Sequence, residues 1–587
     1  MLLSDLPPEI IYSIATYLPT ANAFVCLALT CRRLHEIIAS GDWSIFRAFV
    51  KSQFYNIPTP PFWKDAARAL TSRSRALDRH AVIGRFVTRP SNAEHLGGSS
   101  QATRGDNPTH GYRPAIDSYE VWNGSNWHDR REVLAWSDGH ELVLQIRQRG
   151  SQSAQKSFVF NDLEHISSHD DICGLHLLRP EHHAKTQDRE HVMLGRMRGE
   201  LVHLTIAPES NAYELKQKFQ TFGLEIERTD MSDGPESILA AHLSNGTIAL
   251  YSTTTEEEEV SSFGRLHVHA GSSARYKSSK FLSPNRLAVT TGRPQDAIAI
   301  SRISQERIAL EITIPADFVG TPAMNGLTKR STVTAIAPLT GQTGASSGNT
   351  FLAAWGGSAV RLHDLRSHKQ YEQLYIDMAD HNPLYCIHPF GHDRFVVGAG
   401  GDAVVKIFDL RMPTAYDYRT TRRQSFSGPS RAQSTSLKHP SRDLSIFLSS
   451  VPPSARNARS TQRHYRGPIY TMSSPSLLSP TIYTGIAGGI VRLDFASTDD
   501  LTGSNSTWYR EAIDLPSEDT NGNNTNEVIE LSGYERPDSR DITACSKLRS
   551  QVPFSAVNDQ NLANEQAAGW DRRWNPLEAP GAWRRRD

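Results

Sequence analysis

The chain has 587 residues, more than one ordinary domain, and its 63 basic and 63 acidic side chains leave no net charge. That balance argues against chain-wide electrostatic attraction to nucleic acid or to a membrane surface. No stretch reaches the roughly eighteen apolar residues that a membrane-spanning helix needs, and the first residues lack the basic region of a signal peptide. We therefore expect no nucleic-acid partner and no membrane partner.

The cysteine content points to a reducing compartment. The five cysteines are odd in number and scattered, without the spacing of a metal site or a disulfide framework. We therefore expect a cytoplasmic or nuclear location, or both, and no metal. The five are Cys26, Cys31, Cys173, Cys386 and Cys545.

The first fifty residues predict a compact cluster of short helices. Pro8 and Glu9 suit a first helical turn, because proline there loses only an N–H without a helical acceptor and the carboxylate faces the positive end of the helix. Ile10, Ile14 and Leu18 recur every four residues and form one apolar stripe. Such a stripe belongs either to the core of this region or to a surface that a partner covers.

Three further helices are expected in the same region. Thr20, Thr30 and Asp42 each precede an apolar periodic stretch and can cap a helix. Helices this short make little core by themselves, and Leu6 and Pro7 lie ahead of the first one. Part of the apolar surface is therefore expected to face a partner.

The spacing of these residues resembles the F-box, over about Leu3 to Trp43. F-boxes bind the Skp adaptor of cullin-based ubiquitin ligases, so the resemblance implies an adaptor-facing set on this chain. That set is Leu6, Pro7, Ile10, Ile14 and Leu18. The motif that carries the resemblance is Leu6-Pro7-x-Glu9-Ile10, Ile14, Tyr17-Leu18-Pro19, Leu29 and Cys31-Arg32-Arg33-Leu34.

A helical linker is predicted over 51–81. Its helical stretch, Trp63 to His80, is either a stalk that holds two domains apart or a helix packed under the next domain, and we favour the stalk. Thr88 to Pro114 is rich in Gly, Ser, Asn and Pro and predicts a loop.

From about residue 132 the apolar period changes from 3.6 to 2, which indicates β-strands. Seven segments read as strand, tight turn, strand, and each predicts a β-hairpin. They begin at Val133, Val192, Ile238, Arg286, Phe351, Phe395 and Ile482.

Two of these segments are close copies. Val360 to Arg366 reads VRLHDLR and Val405 to Arg411 reads VKIFDLR, so their aspartates lie 45 positions apart. This spacing resembles the 40–45-residue period of WD-repeat propeller blades, and the segments resemble the third strand of a blade. The resemblance implies an all-β, WD-repeat-like, seven-bladed propeller over 82–545 behind the small all-α head.

Two segments fall outside the regular pattern. Residues 413–466 hold ten Lys and Arg against two acidic residues, with one strand-like run at Leu444 to Leu448, and predict a largely disordered insertion. The tail, 546–587, contains Trp570, Trp574 and Trp583 together with five arginines after Gly569. It either docks on the propeller or stays free, and we favour docking because three exposed tryptophans make a poor surface.

No catalytic motif is present, so the sequence predicts no catalytic residues, no cofactor and no enzyme. Polar loop histidines explain the cluster at His165 and His169 and the cluster at His182 and His183 better than a metal site does. Arg361, Lys406 and Arg492 hold equivalent strand positions and are expected to be solvated; rim turns such as Arg198, Trp355 and Asp402 are candidate contacts, but the target-binding residues stay unknown.

Together the two resemblances imply an F-box/WD-repeat substrate receptor of a Skp–cullin–F-box ubiquitin ligase. The head, 1–50, would bind the Skp-type adaptor and through it a cullin. The propeller would bind a protein target, phosphorylated or not. Two alternatives stay open: an interaction scaffold anchored by its F-box without a role in degradation, and a propeller hydrolase or lyase with its site in the central channel.

Overall fold

A computed structural model provides the structure of the chain. It describes residues 3–515 apart from the short segments given next, and it does not describe 1–2 or 516–587. The undescribed internal positions are 19, 55–56, 58–59, 61, 80, 99–112, 125, 151–153, 165–169, 181–187, 268–277, 305–306, 317–331, 340–347, 357–358, 378–381, 392, 401–403, 413–443, 448–467, 487–488, 498–499 and 502–504.

The chain begins with a 3₁₀ turn and four α-helices, and the third helix corrects the prediction. Asp42 was expected to start a separate helix, but the helix runs without a break through it. The buried residues Leu34, Ile38, Ile45 and Phe49 recur at helical spacing, so one continuous face packs into the head. The elements are the turn Leu3–Asp5, α1 (Pro8–Thr16), α2 (Ala21–Thr30), α3 (Arg32–Gln53) and α4 (Trp63–Arg79).

The caps of these helices are partly as predicted. Thr20 caps α2, because its Oγ1 accepts a hydrogen bond of 3.2 Å from the Ala23 N–H. Thr30 does not cap α3; its hydroxyl donates back to the Leu27 carbonyl at 2.7 Å, and Cys31 takes the cap position without a side-chain hydrogen bond. A threonine hydroxyl at the end of one helix can bond to the preceding turn instead of serving the next helix.

The described strands form seven antiparallel sheets of four main strands, which we number as blades in chain order. Blades 1 and 2 each carry one extra parallel strand at the outer edge. The blades are: blade 1, β3 (Ile116–Trp122), β4 (Arg130–Asp138), β5 (Glu141–Gln148), β6 (Ala154–Phe160) and the extra β2 (Glu94–Leu96); blade 2, β7 (Ile172–Leu178), β8 (Glu190–Arg196), β9 (Leu201–Ala207), β10 (Ala212–Phe219) and the extra β14 (Glu259–Val260); blade 3, β11 (Ile226–Met231), β12 (Ile238–Leu243), β13 (Thr247–Ser252) and β15 (Gly264–His267); blade 4, β16 (Ser279–Ser283), β17 (Arg286–Thr290), β18 (Ile298–Ile303) and β19 (Ile308–Ile314); blade 5, β20 (Val333–Pro338), β21 (Thr350–Trp355), β22 (Ala359–Asp364) and β23 (Gln373–Ile376); blade 6, β24 (Leu384–Phe390), β25 (Arg394–Ala399), β26 (Val404–Asp409) and β27 (Leu444–Phe447); blade 7, β28 (Thr471–Ser473), β29 (Thr481–Ile486), β30 (Gly489–Asp494) and β1 (Ile83–Val87).

The seven inner strands form a closed ring. The inner strand of each blade contacts that of the next, from β3 through β7, β11, β16, β20, β24 and β28, and β28 contacts β3 again. Blade 7 takes its outer strand, β1, from the chain just after α4. Closure in this way leaves only the short outer strands of the blades as sheet edges. The predicted fold class, a small helical head followed by a seven-bladed propeller, is confirmed, and so are the seven hairpins.

The structure corrects part of the predictions for segments without regular pattern, and part of them falls on residues that it does not describe. The stretch 88–114, expected to be a loop, contributes β2, which pairs in parallel with β6. Within the segment 413–466, the predicted strand-like run is β27, the outer strand of blade 6. The rest of that segment and the tail 546–587 lie outside the described residues, so both interpretations stay predictions.

Side chains near the starts of inner strands bond to the backbone of the next blade. Cys173 Sγ lies 3.3 Å from the Ile226 carbonyl oxygen, and Thr471 Oγ1 lies 2.7 Å from the Pro114 carbonyl oxygen. Each pair joins one strand start to the next, so the starts share one face of the ring. We call this the top face, and the face where inner strands end the bottom face.

Helix α4 packs on the bottom face, so its interpretation as a stalk is wrong. Arg73 is buried, and its Nη1 donates to the Leu477 and Ser479 carbonyls at 2.6 and 3.0 Å, just after β28. Its guanidinium also lies 5.1 Å from the Phe390 ring, at the end of β24. A basic side chain of the helix therefore satisfies loop carbonyls of the propeller.

Candidate functional site

The predicted apolar stripe of α1 lies on the outside of the head. Ile10 is 47% exposed and Ile14 is 39% exposed, whereas Ile11 and Ala15 are buried. Ile11 and Ala15 are four residues apart and turn the same face of α1 toward the head core. The stripe is therefore not core, and it offers apolar side chains to a partner.

The other predicted adaptor-facing residues differ in exposure. Pro7 is exposed, while Leu6 and Leu18 are half-buried. Leu6 packs against the cluster that contains Ile11, and Leu18 packs against the main head core. Truncating Leu6 or Leu18 would therefore disturb folding as well as a surface, whereas Ile10 and Ile14 report on the surface alone.

The structure adds exposed apolar residues that the predicted set omitted. Tyr17 is 83% exposed, and its spacing of three from Ile14 continues the stripe of α1. On α2, Val25 and Leu29 are four residues apart and exposed, Leu29 at 77%. This spacing was readable in the sequence, since both pairs keep helical periodicity. Leu3, ahead of α1, is exposed as well.

Aromatic stacking joins the head to the propeller. Trp127, from the loop after β3, packs into the head core and stacks on Trp508 with ring centroids 6.2 Å apart. The Arg68 guanidinium of α4 lies 4.1 Å from the Trp508 ring, a cation–π contact. The head core and the bottom face of the propeller are therefore continuous, which fixes the orientation of the head.

An ion-pair network fills the seam between blades 7 and 1. Arg85 of β1 and Arg492 both pair with the buried Asp494 carboxylate, Arg492 through its Nε at 2.9 Å. Although burial opposes it, the guanidiniums of Arg147 and Arg492 lower the pKa of the buried Glu132 carboxyl to about 2. Charges on β1, β4, β5 and β30 thus meet across the closure of the ring.

A short helix near the end of the described chain accepts hydrogen bonds from arginines of this seam. Helix α5 (Ser506–Ala512) ends in carbonyls that lie among the seam arginines. Arg130 Nη2 donates to the Ala512 carbonyl at 2.9 Å, and Arg85 Nη1 donates to the Asp514 carbonyl at 2.7 Å. Cations at the negative end of a helix are favourable, so α5 holds the first and last blades together.

The top face carries a cationic and aromatic cluster at the mouth of the central channel. The Arg113 guanidinium, just before β3, lies 4.8 Å from the Tyr470 ring, and Tyr470 lies 5.9 Å from Tyr385. Burial, and then the nearby Arg113 charge, lower the pKa of Arg228 on β11. We call Arg113, Arg228, Tyr385 and Tyr470 the channel mouth; Tyr385 is buried, whereas the exposed Arg113 is suited to an anionic segment.

Three strand positions expected to be solvated are not. Lys406 is fully buried, with Nζ 2.7 Å from the Asp377 carboxylate of the preceding blade. Arg492 is buried in the seam, and Arg361 is half-buried with its guanidinium 4.5 Å from the Trp355 ring. Lys406 and Arg492 have partners outside their own blades, Asp377 and Asp514, which a hairpin pattern within one blade does not reveal.

The three residues predicted as contacts on the propeller rim differ in where the structure places them. Trp355 is buried and is not a rim contact. Arg198 is exposed in the β8–β9 turn, and this turn lies at the top face because the Met197 N–H donates to the Asp171 carbonyl, just before β7. Asp402 lies outside the described residues.

Two carboxylates of inner strands bond to the backbone of the next blade. Asp117 accepts from the Leu177 N–H at 2.8 Å, and Asp230 accepts from the Phe281 N–H at 2.7 Å and from Lys280 Nζ at 2.6 Å. The described residues contain no group of three or more His, Cys, Asp or Glu able to hold a metal. His165, His169, His182 and His183 lie outside them. These two carboxylates join blades rather than face a reacting group.

Comparison with known proteins gives a family match for the head and similar solved structures for the larger part of the chain. Residues 3–48 match the family described as F-box-like. No curated protein matches the chain. Among solved structures the chain is similar to Sqt1 from Chaetomium thermophilum, at 12% identity and a TM-score of 0.40 over 62% of this chain and 80% of that one. It is also similar to the WD40 β-propeller domain of Doa1, at 12% identity and a TM-score of 0.38 over 65% of this chain and 95% of that one.

The chain therefore combines an F-box-like helical region with a seven-bladed β-propeller, which is consistent with an F-box/WD-repeat protein. F-box domains generally bind Skp1-type adaptors, and propellers generally bind targets. No helix among the described residues is long and apolar enough to cross a membrane.

Proposed function

We propose that this chain is the substrate-recognition subunit of a Skp–cullin–F-box ubiquitin ligase. The observation that carries the proposal is the outward apolar stripe Ile10, Ile14 and Tyr17, in a region that matches the F-box-like family. In this proposal a Skp-type adaptor covers the stripe and connects the chain to a cullin, and the propeller holds the target. Ubiquitin transfer is carried out by other subunits, and the chain acts in the cytoplasm, the nucleus or both.

The mechanism is tethering with a fixed geometry. The head sits on the bottom face through α4, and the channel mouth opens on the top face. A target bound at the mouth is held at one distance and orientation from the adaptor. The tethered target then has an effective concentration of about millimolar at the other subunits of the ligase. Because Arg113 and Arg228 line the mouth, we expect the recognised segment to be acidic or phosphorylated.

A scaffold without a role in degradation is the second candidate, because the same rigid head and propeller could hold two partners for another purpose. The two candidates differ in the fate of the target. A scaffold would bind the adaptor without a cullin, and its target would not accumulate when the proteasome is inhibited.

The test is affinity purification of the full chain from cells with and without a proteasome inhibitor. The ligase proposal predicts recovery of adaptor and cullin, and a target that accumulates with the inhibitor. A double variant, Arg113→Gln with Arg228→Gln, should lose that target and keep the adaptor. Recovery of the adaptor without a cullin, or a target level that is the same with and without the inhibitor, would favour the scaffold. Purification of the chain without any adaptor would contradict both the ligase and the scaffold proposals.

A further inference from the structure

The rim of blades 2 and 3 carries an exposed aromatic pair beside an acidic stretch. Phe222 is 60% exposed and Phe263 is 50% exposed. The Arg265 guanidinium of β15 lies 4.3 Å from the centroid of the Phe222 ring, so the segment that carries Phe222 contacts β15. We call Phe222, Phe263 and the stretch 256–259 the rim patch. Most other exposed large apolar side chains of the described residues belong to the head.

The turn that presents Phe222 has an unusual backbone. Phe222 has φ of +58° and Gly223 has φ of +72°, and the Leu224 N–H donates to the Thr221 carbonyl at 3.2 Å. Asparagine or glycine is the usual residue at such a position, because a bulky L side chain is disfavoured at positive φ. The chain nevertheless holds a phenylalanine there, with its ring in solvent.

The acidic part of the patch is built into the same edge. Strand β14 pairs in parallel with the end of β10, with Glu259 opposite Lys218. Glu256, Glu257, Glu258 and Glu259 are all exposed. These four carboxylates outnumber the two cations in contact with the patch, Lys218 opposite Glu259 and Arg265 over Phe222, so this edge is acidic.

A cavity lies between the turn and the acidic strand. Its volume is about 360 Å³, within the range of small-ligand sites. It is lined by Gly199, Lys218, Gln220, Phe222 and Glu259, among others. Such a site, part aromatic and part anionic, is complementary to a peptide that offers an aromatic ring next to a cation.

We infer that the rim patch binds the C-terminal tail of this same chain, through Trp570 and Trp574 and the arginines between them. The tail reads GWDRRWNPLEAPGAWRRR from Gly569, so each tryptophan stands beside or near an arginine pair or triplet. Indole rings would enter the cavity and pack against Phe222, and guanidiniums would pair with the glutamates. The inference does not depend on the ligase proposal.

Reach and composition favour the tail over other segments of the chain. The last described residue, Leu515, follows α5 at the seam of blades 7 and 1, two blades from the patch. Trp570 lies 55 positions after Leu515, and a random coil of that length has a typical end-to-end distance on the order of 40 Å. The basic segment 413–443, which lies between β26 and β27 in the sequence, contains no tryptophan.

Photo-cross-linking in the full-length chain tests the inference. A benzoyl-phenylalanine at position 574, followed by irradiation, digestion and mass spectrometry, should give intramolecular cross-links to residues 219–224 and 256–265. The variant Phe222→Asn keeps a turn residue that accepts positive φ, so it should fold with an unchanged thermal midpoint. It should lower the yield about fivefold, as expected for the loss of one aromatic contact.

The matched control is Leu310→Ser, which removes an exposed apolar side chain of β19 outside the patch and should leave the yield unchanged. Cross-links confined to the head, to 413–466 or to other blades would overturn the inference, as would cross-links only between two copies of the chain. An absence of cross-links, or an equal yield in Phe222→Asn and the parent chain, would overturn it too.

Discussion

Ile83, the first residue of β1, lies directly opposite Asp494, the last residue of β30, in an antiparallel pair. The strand that completes the last blade therefore comes from the segment next to the helical head, more than 400 positions away in sequence. Head, ring closure and the seam network are consequently one folding unit, and changes at the seam should affect the whole propeller.

The first prediction concerns that closure. Arg85→Ala removes one cation from the buried Asp494 carboxylate and a donor from the carbonyl of Asp514. Removing one partner of a buried ion pair costs about 3–5 kcal/mol of unfolding free energy, and Arg492 remains to limit the loss. Urea denaturation should show a clearly lower midpoint. Arg302→Ala, which breaks an exposed pair with Glu311, is the control and should leave the midpoint nearly unchanged. Equal midpoints for the two variants would contradict the role of the seam.

The second prediction concerns acid stability. Burial lowers the pKa of His363 to about 4, and its Nδ1 lies 2.7 Å from the Gln370 carbonyl oxygen. In the unfolded chain the imidazole takes up a proton below its ordinary pKa of about 6.5. Between pH 6.5 and 4 the unfolded state thus binds more protons, so stability falls as the pH falls.

Replacing this residue should weaken that pH dependence. His363→Gln removes the titrating group, so the loss of unfolding free energy between pH 6.5 and 4 should be smaller than in the parent chain by about 2–3 kcal/mol. Chemical denaturation at several pH values measures it. Parallel stability profiles for the two proteins would show that His363 is not held neutral.

The third prediction concerns thiol reactivity. Burial raises the pKa of Cys173 and Cys386 to about 12, and both thiols bond to carbonyls of the next blade. Cys26 and Cys31 are exposed on the head. Iodoacetamide at pH 8, read by peptide mass spectrometry, should label Cys26 and Cys31 in the folded chain and Cys173 and Cys386 only after denaturation, since the thiolate is the reactive form. Rapid labelling of Cys386 in the folded chain would contradict the inter-blade contact.

Local patterns in the sequence predicted the blades but not their closure. The copies around Asp364 and Asp409 lie in third strands, as their spacing indicated, because a hairpin is specified by neighbouring residues. The pairing of Ile83 with Asp494 could not be predicted this way, since no local pattern records which distant strand completes a blade. The burial of Lys406 depends likewise on Asp377 in another blade.

The candidate adaptor surface was predictable in kind but not residue by residue. Helical spacing gave Ile10 and Ile14, yet it could not distinguish an inward from an outward stripe, because Ile11 and Ala15 have the same spacing and are the pair that is buried. Leu6 and Leu18 were grouped with the surface residues by motif, and they are half-buried because they contact the head core. The partners that decide burial, such as Leu34 and Ile37 for Leu6, lie on other helices, and helical spacing within α1 does not identify them.

The most direct test of the account is the affinity of a Skp-type adaptor for Ile10→Ala/Ile14→Ala in the full-length chain, measured by calorimetry. Both side chains are already partly exposed, so their truncation should leave the thermal midpoint unchanged. If the adaptor covers them, the loss of apolar burial should cost about 2–3 kcal/mol of binding free energy, which corresponds to a loss of affinity between roughly thirtyfold and 150-fold. Leu310→Ala on the propeller is the control and should bind as the parent chain does. An affinity of the double variant within about threefold of the parent chain, less than 1 kcal/mol, would contradict the adaptor surface and with it the proposed function.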